Sequence, residues 1–234
     1  MRAIIALLKY FGIWSGLKRA CLDLRTWCYS FKYSDEKSME KIYTKEYFNQ
    51  NNYSKETPLE KTIKEAQSEY ILRAVAPKKV LVAGCAAGEL VRALRQKGME
   101  AFGFDISPDL AAIAYPDVAQ FLRPGSMNNI PFGPGDGFDV LVAFDVFEHV
   151  PYRLIEKMVL EINRLAPKYL VTIIAHDSYY EVGHITLKSL KWWEKMFKVN
   201  YRIKNTKVDL KGIPEVYSVK EPELLIKIWE RVLD

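Results

Sequence analysis

The sequence predicts an α/β fold: a doubly wound, mainly parallel sheet of seven strands, with a helical extension at the N-terminus. Three observations carry this. Short apolar runs rich in β-branched residues, such as 80–83, 140–144 and 170–175, alternate with stretches whose apolar residues recur at helical spacing. The first run enters a turn of small residues, Gly84-Cys85-Ala86-Ala87-Gly88, that opens a helix. Residues 1–33 hold six basic residues and one acid, which is the whole formal charge of +5, so residues 34–234 balance at zero.

That charge sets the first 33 residues apart. Leu7, Trp14, Cys21 and Cys28 repeat every seven, with Tyr10, Leu17, Leu24 and Phe31 between them, although Gly12 and Gly16 weaken a helix. The stripe fits a helix packed on its own domain or on a second copy in a homodimer. It also fits a basic helix at an anionic membrane surface. Nucleic acid is a poorer match, because the rest of the chain has no basic excess. No run of eighteen apolar residues predicts a membrane span. Lys9 interrupts the apolar run Ala3 to Leu8 too early for a signal peptide. Three cysteines without paired spacing argue against a disulfide or zinc framework. The expectation is a cytoplasmic protein, peripheral to the membrane if residues 1–33 bind one. Residues 34–56 are polar with Tyr43, Tyr47, Phe48 and Tyr53 interleaved, which reads as a linker or a lid. The domain proper is 57–234.

Thr57-Pro58-Leu59-Glu60 is a capping box with proline at the first helical position, and the helix it opens stops at Pro77. Val80 to Ala83 is the first strand. Leu90, Val91 and Leu94 mark the helix after the turn, and Gly98 ends it. Ala101 to Phe104 is the second strand, ending on Asp105. Ser107-Pro108 starts a helix, a third strand lies near 120–122, and 133–137 is a turn before the fourth strand, Val140 to Phe144. Leu154 to Leu165 forms one helix face, and Leu170 to Ala175 is the fifth strand. Ser189 to Lys198 is helical, and two strands near 199–208 and 223–229 complete the sheet.

Strand, small-residue turn, helix, strand and terminal acid make one βαβ unit suited to a nucleoside. The small residues let the backbone close on the ligand, and Asp105 can accept from ribose hydroxyls. The dinucleotide fingerprint G-x-G-x-x-G is absent, so the pyrophosphate of NAD would lack its cradle.

Four stretches in order resemble class I S-adenosylmethionine-dependent methyltransferases. VLVAGCAAGEL is similar to their first motif, which would place Val82, Gly84, Cys85, Ala86 and Gly88 at the cofactor. Gly103 to Ser107 resembles the second, with Asp105 and Ile106 at the ribose. Gly125 to Phe132 resembles the segment beside the adenine, with Ser126 and Met127. Phe138 to Pro151 resembles the fourth-strand stretch, with Ala143 and Phe144. The resemblance covers roughly residues 60–230 and implies a Rossmann-like methyltransferase fold and S-adenosylmethionine as cofactor. Three positions depart: Val82 and Ser126 stand where the family has acids, and Ala86 where it has glycine.

The three histidines follow strands at the carboxyl edge, where such sheets bind ligands. Methyl transfer to a hydroxyl needs a base for the acceptor proton. His149 follows the fourth strand and is the preferred base. His176 beside Asp177 is another candidate, and His184 is the candidate for holding the acceptor. No helical ligand pair such as H-x-x-x-H occurs, so no metal is expected. Residues 43–48 and 183–193 resemble segments of methyltransferases that act on glycans and small molecules from sugar-modifying gene clusters. The expected acceptor is therefore a hydroxyl of a sugar, glycan or small metabolite. Two alternatives stay open: a prenylated phenol, as in the ubiquinone-biosynthesis type, and a module that holds the cofactor without turnover.

Overall fold

The computed structural model describes residues 17, 20–21, 24, 27–28, 31–51, 57–175, 183–214 and 226–232. Strands β1 (Lys79–Ala83), β2 (Glu100–Asp105), β3 (Leu122–Pro124), β4 (Val140–Phe144), β5 (Tyr169–Ile173), β6 (Tyr201–Ile203) and β7 (Ile226–Arg231) form one sheet in the order β3-β2-β1-β4-β5-β7-β6. The pairs within β3-β2-β1-β4-β5 are parallel, and β7 runs antiparallel to both its neighbours. The fold is the expected doubly wound, mainly parallel one. Winding reverses between β1 and β4, which opens a crevice beyond their carboxyl ends.

The helices are α1 (Glu36–Glu40), α2 (Lys45–Gln50), α3 (Pro58–Val75), α4 (Glu89–Gln96), α5 (Leu110–Ile113), α6 (Ile155–Leu165) and α7 (Leu190–Phe197). The described residues between 17 and 32 are also helical. Alternate residues of β1 feed different layers, yet all four from Val80 to Ala83 are buried, which explains an apolar run without polar alternation. Val80 and Val82 face a layer that includes Ile63 and Ile71 of α3, Leu94 of α4, and Met39 and Phe48 of α1 and α2. Leu81 and Ala83 face α6 and α7. There Trp193 and Phe197 stack as core, beside Phe147 and Trp229, and the Trp229 indole N–H donates to Thr172 Oγ1 at 2.9 Å.

Three elements differ from the sequence reading. The helix after Pro108 is a single turn, since Pro116 disfavours helical backbone at Tyr115. The third strand begins at Leu122, because Ala119 to Phe121 form a 3-10 turn. The strand expected over 199–208 is only Tyr201–Ile203. Beyond it the chain leaves the sheet for α3, where Arg73 donates to the carbonyls of Asp209 and Lys211 at 2.7 and 2.8 Å.

Candidate active site

The small-residue turn after β1 needs unusual backbone. Gly84 and Gly88 have φ of +60° and +97°, and a Cβ on Gly84 would lie 2.7 Å from Val146 Cγ2. Ala86 also takes positive φ, +47°, where the resemblance expects glycine. Its N–H donates to Asp105 Oδ2 at 2.9 Å, and Ser107 N–H donates to Oδ1 at 2.9 Å. Burial pushes the Asp105 carboxyl up, against these N–H donors. Burial and the nearby Asp105 push the Cys85 thiol well up, so it stays a neutral wall rather than a nucleophile. An open-sided cleft of ≈ 480 Å³, solvent space included, is lined by Val82 to Ala86 and Phe144 on one side. Glu60, Lys64, Gln67, Glu89 and Leu90 line the other.

Past the end of β3, Ser126 and Met127 are buried. The Ser126 hydroxyl donates to Glu36 Oε1 at 2.6 Å and accepts from Asn128 N–H at 3.2 Å. The segment carrying α1 and α2 is therefore tied to the loop after β3. A second tie joins Lys45 N–H to Asp109 Oδ2 at 2.8 Å.

The third tie reaches the histidines. Tyr43 Oη and His149 Nδ1 are 2.6 Å apart, and the His149 and His184 rings meet edge-on with centroids 4.7 Å apart. Burial, with Tyr47, Asp105 and Glu148 nearby, pushes the Tyr43 phenol well above its ordinary value. Burial and His184 push His149 down to about 3. Both groups are neutral near pH 7, and which of them donates follows the tautomer of the His149 ring. Glu148 builds this corner. Its carbonyl accepts from the N–H groups of Ile185 and Thr186 at 3.0 and 2.9 Å, and its Oε1 accepts from Ala175 N–H at 2.8 Å. Thr186 Oγ1 donates to the Val150 carbonyl at 2.7 Å. These bonds set His184 beside His149 although 34 residues separate them. Gly183 takes φ of +94°, and a Cβ there would lie 2.5 Å from Tyr43 Oη. One ligating atom each from Glu148, His149 and His184 lie within 4.8 Å of one another, a donor set suited to a divalent cation. Sequence spacing gave no sign of it, because two of these residues come from a turn and the third from a distant loop.

Residues 59–208 match the model of a methyltransferase domain family. The chain belongs to this family. It is a class I S-adenosylmethionine-dependent methyltransferase by family and fold, and S-adenosylmethionine is its cofactor. No curated relative matches the methyltransferase. Among solved structures, magnesium protoporphyrin IX methyltransferase from Synechocystis PCC 6803 with bound S-adenosylhomocysteine is 17% identical, with a TM-score of 0.57. The match covers 86% of this chain and 100% of that one. PH0226 protein from Pyrococcus horikoshii OT3 is 14% identical with a TM-score of 0.56, over 82% and 95% of the two chains. Geranyl diphosphate methyltransferase in complex with S-adenosylmethionine is 16% identical with a TM-score of 0.52, over 72% and 85%.

The residues present fit that cofactor. The turn after β1 presents only small side chains to the cleft that runs along it, and Asp105 sits at the end of β2. Val82, Gly84, Cys85 and Ala86 line it together with Phe144. Gly88 opens α4 just behind, and Ala143 pairs with Ala83 within the sheet. Ile106 follows Asp105 directly and is partly buried against the core. His149 and His184 are brought together, while His176 lies outside the described residues. Sequence reasoning missed Tyr43 as a partner of His149. The interleaved aromatics of 34–56 were its only signal.

Proposed function

We propose that the chain transfers a methyl group to a hydroxyl of a sugar, glycan or small metabolite. The observation that carries this reading is the Tyr43 phenol held 2.6 Å from a neutral His149 imidazole beside His184. Bound along the cleft, S-adenosylmethionine supplies an electrophilic methyl. Asp105 accepts from its ribose, and the 84–88 turn packs against its backbone-facing edge. Tyr43 Oη marks where an acceptor hydroxyl meets Nδ1. An acceptor that displaces Tyr43 places its own O–H on the same nitrogen, which takes the proton. His184, 3% exposed and edge-on to His149, orients that ring and the acceptor. The segment 34–56 acts as the lid, since its three ties span the loops after β2, β3 and β4.

A second reading has its own support. The group held on His149 is itself a phenol, which suits a phenolic acceptor, and a prenylated one would sit at a membrane. For residues 1–33 we propose peripheral attachment to anionic membrane. Leu17, Leu24, Trp27 and Phe31 are 44–60% exposed on a segment carrying the chain's net charge.

The test is a labelled-methyl assay over sugars, glycans and prenylated phenols, with melting measured alongside. S-adenosylmethionine at 100-fold its dissociation constant should stabilise the fold by about 2.7 kcal/mol, and NAD should not. His149→Gln should lower turnover roughly 10²–10⁴-fold with cofactor affinity within a few-fold. His184→Gln should mainly raise the KM for the acceptor. Cofactor binding without methylation of any hydroxyl acceptor would leave a binding module instead.

A further inference from the structure

The cofactor's amino-acid end carries an ammonium and a carboxylate only a few ångströms apart. A cleft half-closed to water must answer both charges. The strand position beside it offers none, because Val82 is apolar. Two of the turn's own N–H groups are committed, that of Ala86 to Asp105 and that of Gly88 to the Cys85 carbonyl. The Cys85 thiol is neutral.

The opposite wall does supply charge. Glu60, Lys64 and Gln67 fall at i, i+4 and i+7 of α3, so they share one helix face, and that face lines the same cleft as Val82 to Ala86. Glu60 Oε2 and Lys64 Nζ lie 3.8 Å apart, each side chain about one quarter exposed. Glu89, at the start of α4, also lines the cleft, and these three are its only charged lining residues among those described. Two carboxylates and one ammonium leave the wall one positive charge short. Burial raises the Glu89 carboxyl, opposed by a backbone hydrogen bond, by Lys64 and by a hydrogen bond from Tyr115, with Glu60 adding a smaller push upward.

We infer that Glu60 and Lys64 of α3, with Glu89, form the subsite for the amino-acid end of the cofactor. Lys64 meets the carboxylate, and Glu60 and Glu89 meet the ammonium. The route is continuous. A ribose on Asp105 sits beside Ala86, whose N–H Asp105 holds, and the cleft leads from Ala86 past Gly84 and Val82 to α3. This subsite supplies from a helix the charge that Val82 withholds from the strand. It rests on the cofactor assignment made above.

The experiment compares two ligands by calorimetry on the full chain. S-adenosylhomocysteine has the amino-acid end, whereas 5′-methylthioadenosine keeps the nucleoside and thioether and lacks it. Wild type should bind the first more tightly. Lys64→Met and Glu60→Gln should each weaken S-adenosylhomocysteine at least tenfold and leave 5′-methylthioadenosine within about twofold. Asp105→Asn should weaken both ligands together. If the preference for S-adenosylhomocysteine survives in the α3 variants, or if they lose both ligands in proportion, the subsite is overturned. If wild type binds neither ligand, the cofactor assignment falls with it. Melting curves of each variant check that α3 still folds.

Discussion

His149 shows what a single partly buried ring does to the stability of this fold. Its folded pKa lies at about 3, against an ordinary value of 6.5. Between those values the unfolded chain takes up a proton that the folded chain refuses. The stability it contributes is therefore complete above pH 6.5 and is lost as pH falls toward 3, by at most about 1.4 kcal/mol per pH unit. Asp105 works the other way, since its raised carboxyl costs stability as pH climbs through its folded value. Comparing wild type with His149→Gln in urea at pH 7, 6 and 5 separates the two. The wild type should weaken faster on acidification, and parallel curves would show that the ring is not shielded as described. Individual residues were unevenly legible. Asp105 announces itself as the acid that ends a strand 21 residues after Gly84. Tyr43 does not, because its partner lies 106 residues away and nothing local fixes that distance. The Glu60–Lys64 pair reads as an ordinary i, i+4 helix pair until the strand beside it is in place.

Elements were most legible where burial is two-sided. The strands β1, β4 and β5 show as apolar runs because helices cover both faces. The three-residue strands β3 and β6 carry too few residues for any pattern, and Pro124 in β3 is tolerated on the edge of the sheet. The helix ends repeat one device. Both α3 and α6 stop at an alanine before a proline, Ala76-Pro77 and Ala166-Pro167, and both alanines are left-handed with φ of +44° and +57°. Each still donates its N–H into the last turn, to Leu72 and Ile162. A left-handed residue with a Cβ costs about 1–2 kcal/mol, and glycine returns roughly 0.4–1 kcal/mol of that through a freer unfolded chain. Ala166→Gly should therefore raise stability by up to about 1 kcal/mol, read as a higher urea midpoint with unchanged slope. A lower midpoint would mean that the Ala166 methyl group packs more favourably than its backbone is strained.

At the scale of the whole molecule, charge is divided between a neutral body and a basic first segment. If that segment lies on anionic membrane, each basic residue near the surface contributes about 1 kcal/mol, screened by salt. Co-sedimentation with anionic liposomes should then fall as salt rises and vanish on deleting residues 1–33. Equal binding to neutral vesicles would point to apolar contact alone. A dimer that the deletion dissociates, with no liposome binding, would assign the exposed stripe to a second copy. The overall fold was legible because strands and helices alternate from residue 57 onward. Of the candidate site, the turn after β1 and the acid that ends β2 were legible, whereas the Tyr43–His149–His184 corner depends on contacts between distant segments. The strand order also bears on how the chain is made. The edge of β5 is finished at residue 173, but its partner β7 starts only at 226, more than fifty residues downstream. At about 5–20 residues per second, a ribosome leaves that edge open for roughly 3–10 s. During synthesis, a hydrophobic strand with unpaired amides is on offer to any neighbouring nascent chain. The yield of this protein in a cell should thus depend on what shields β5 in those seconds as well as on the stability of the finished fold.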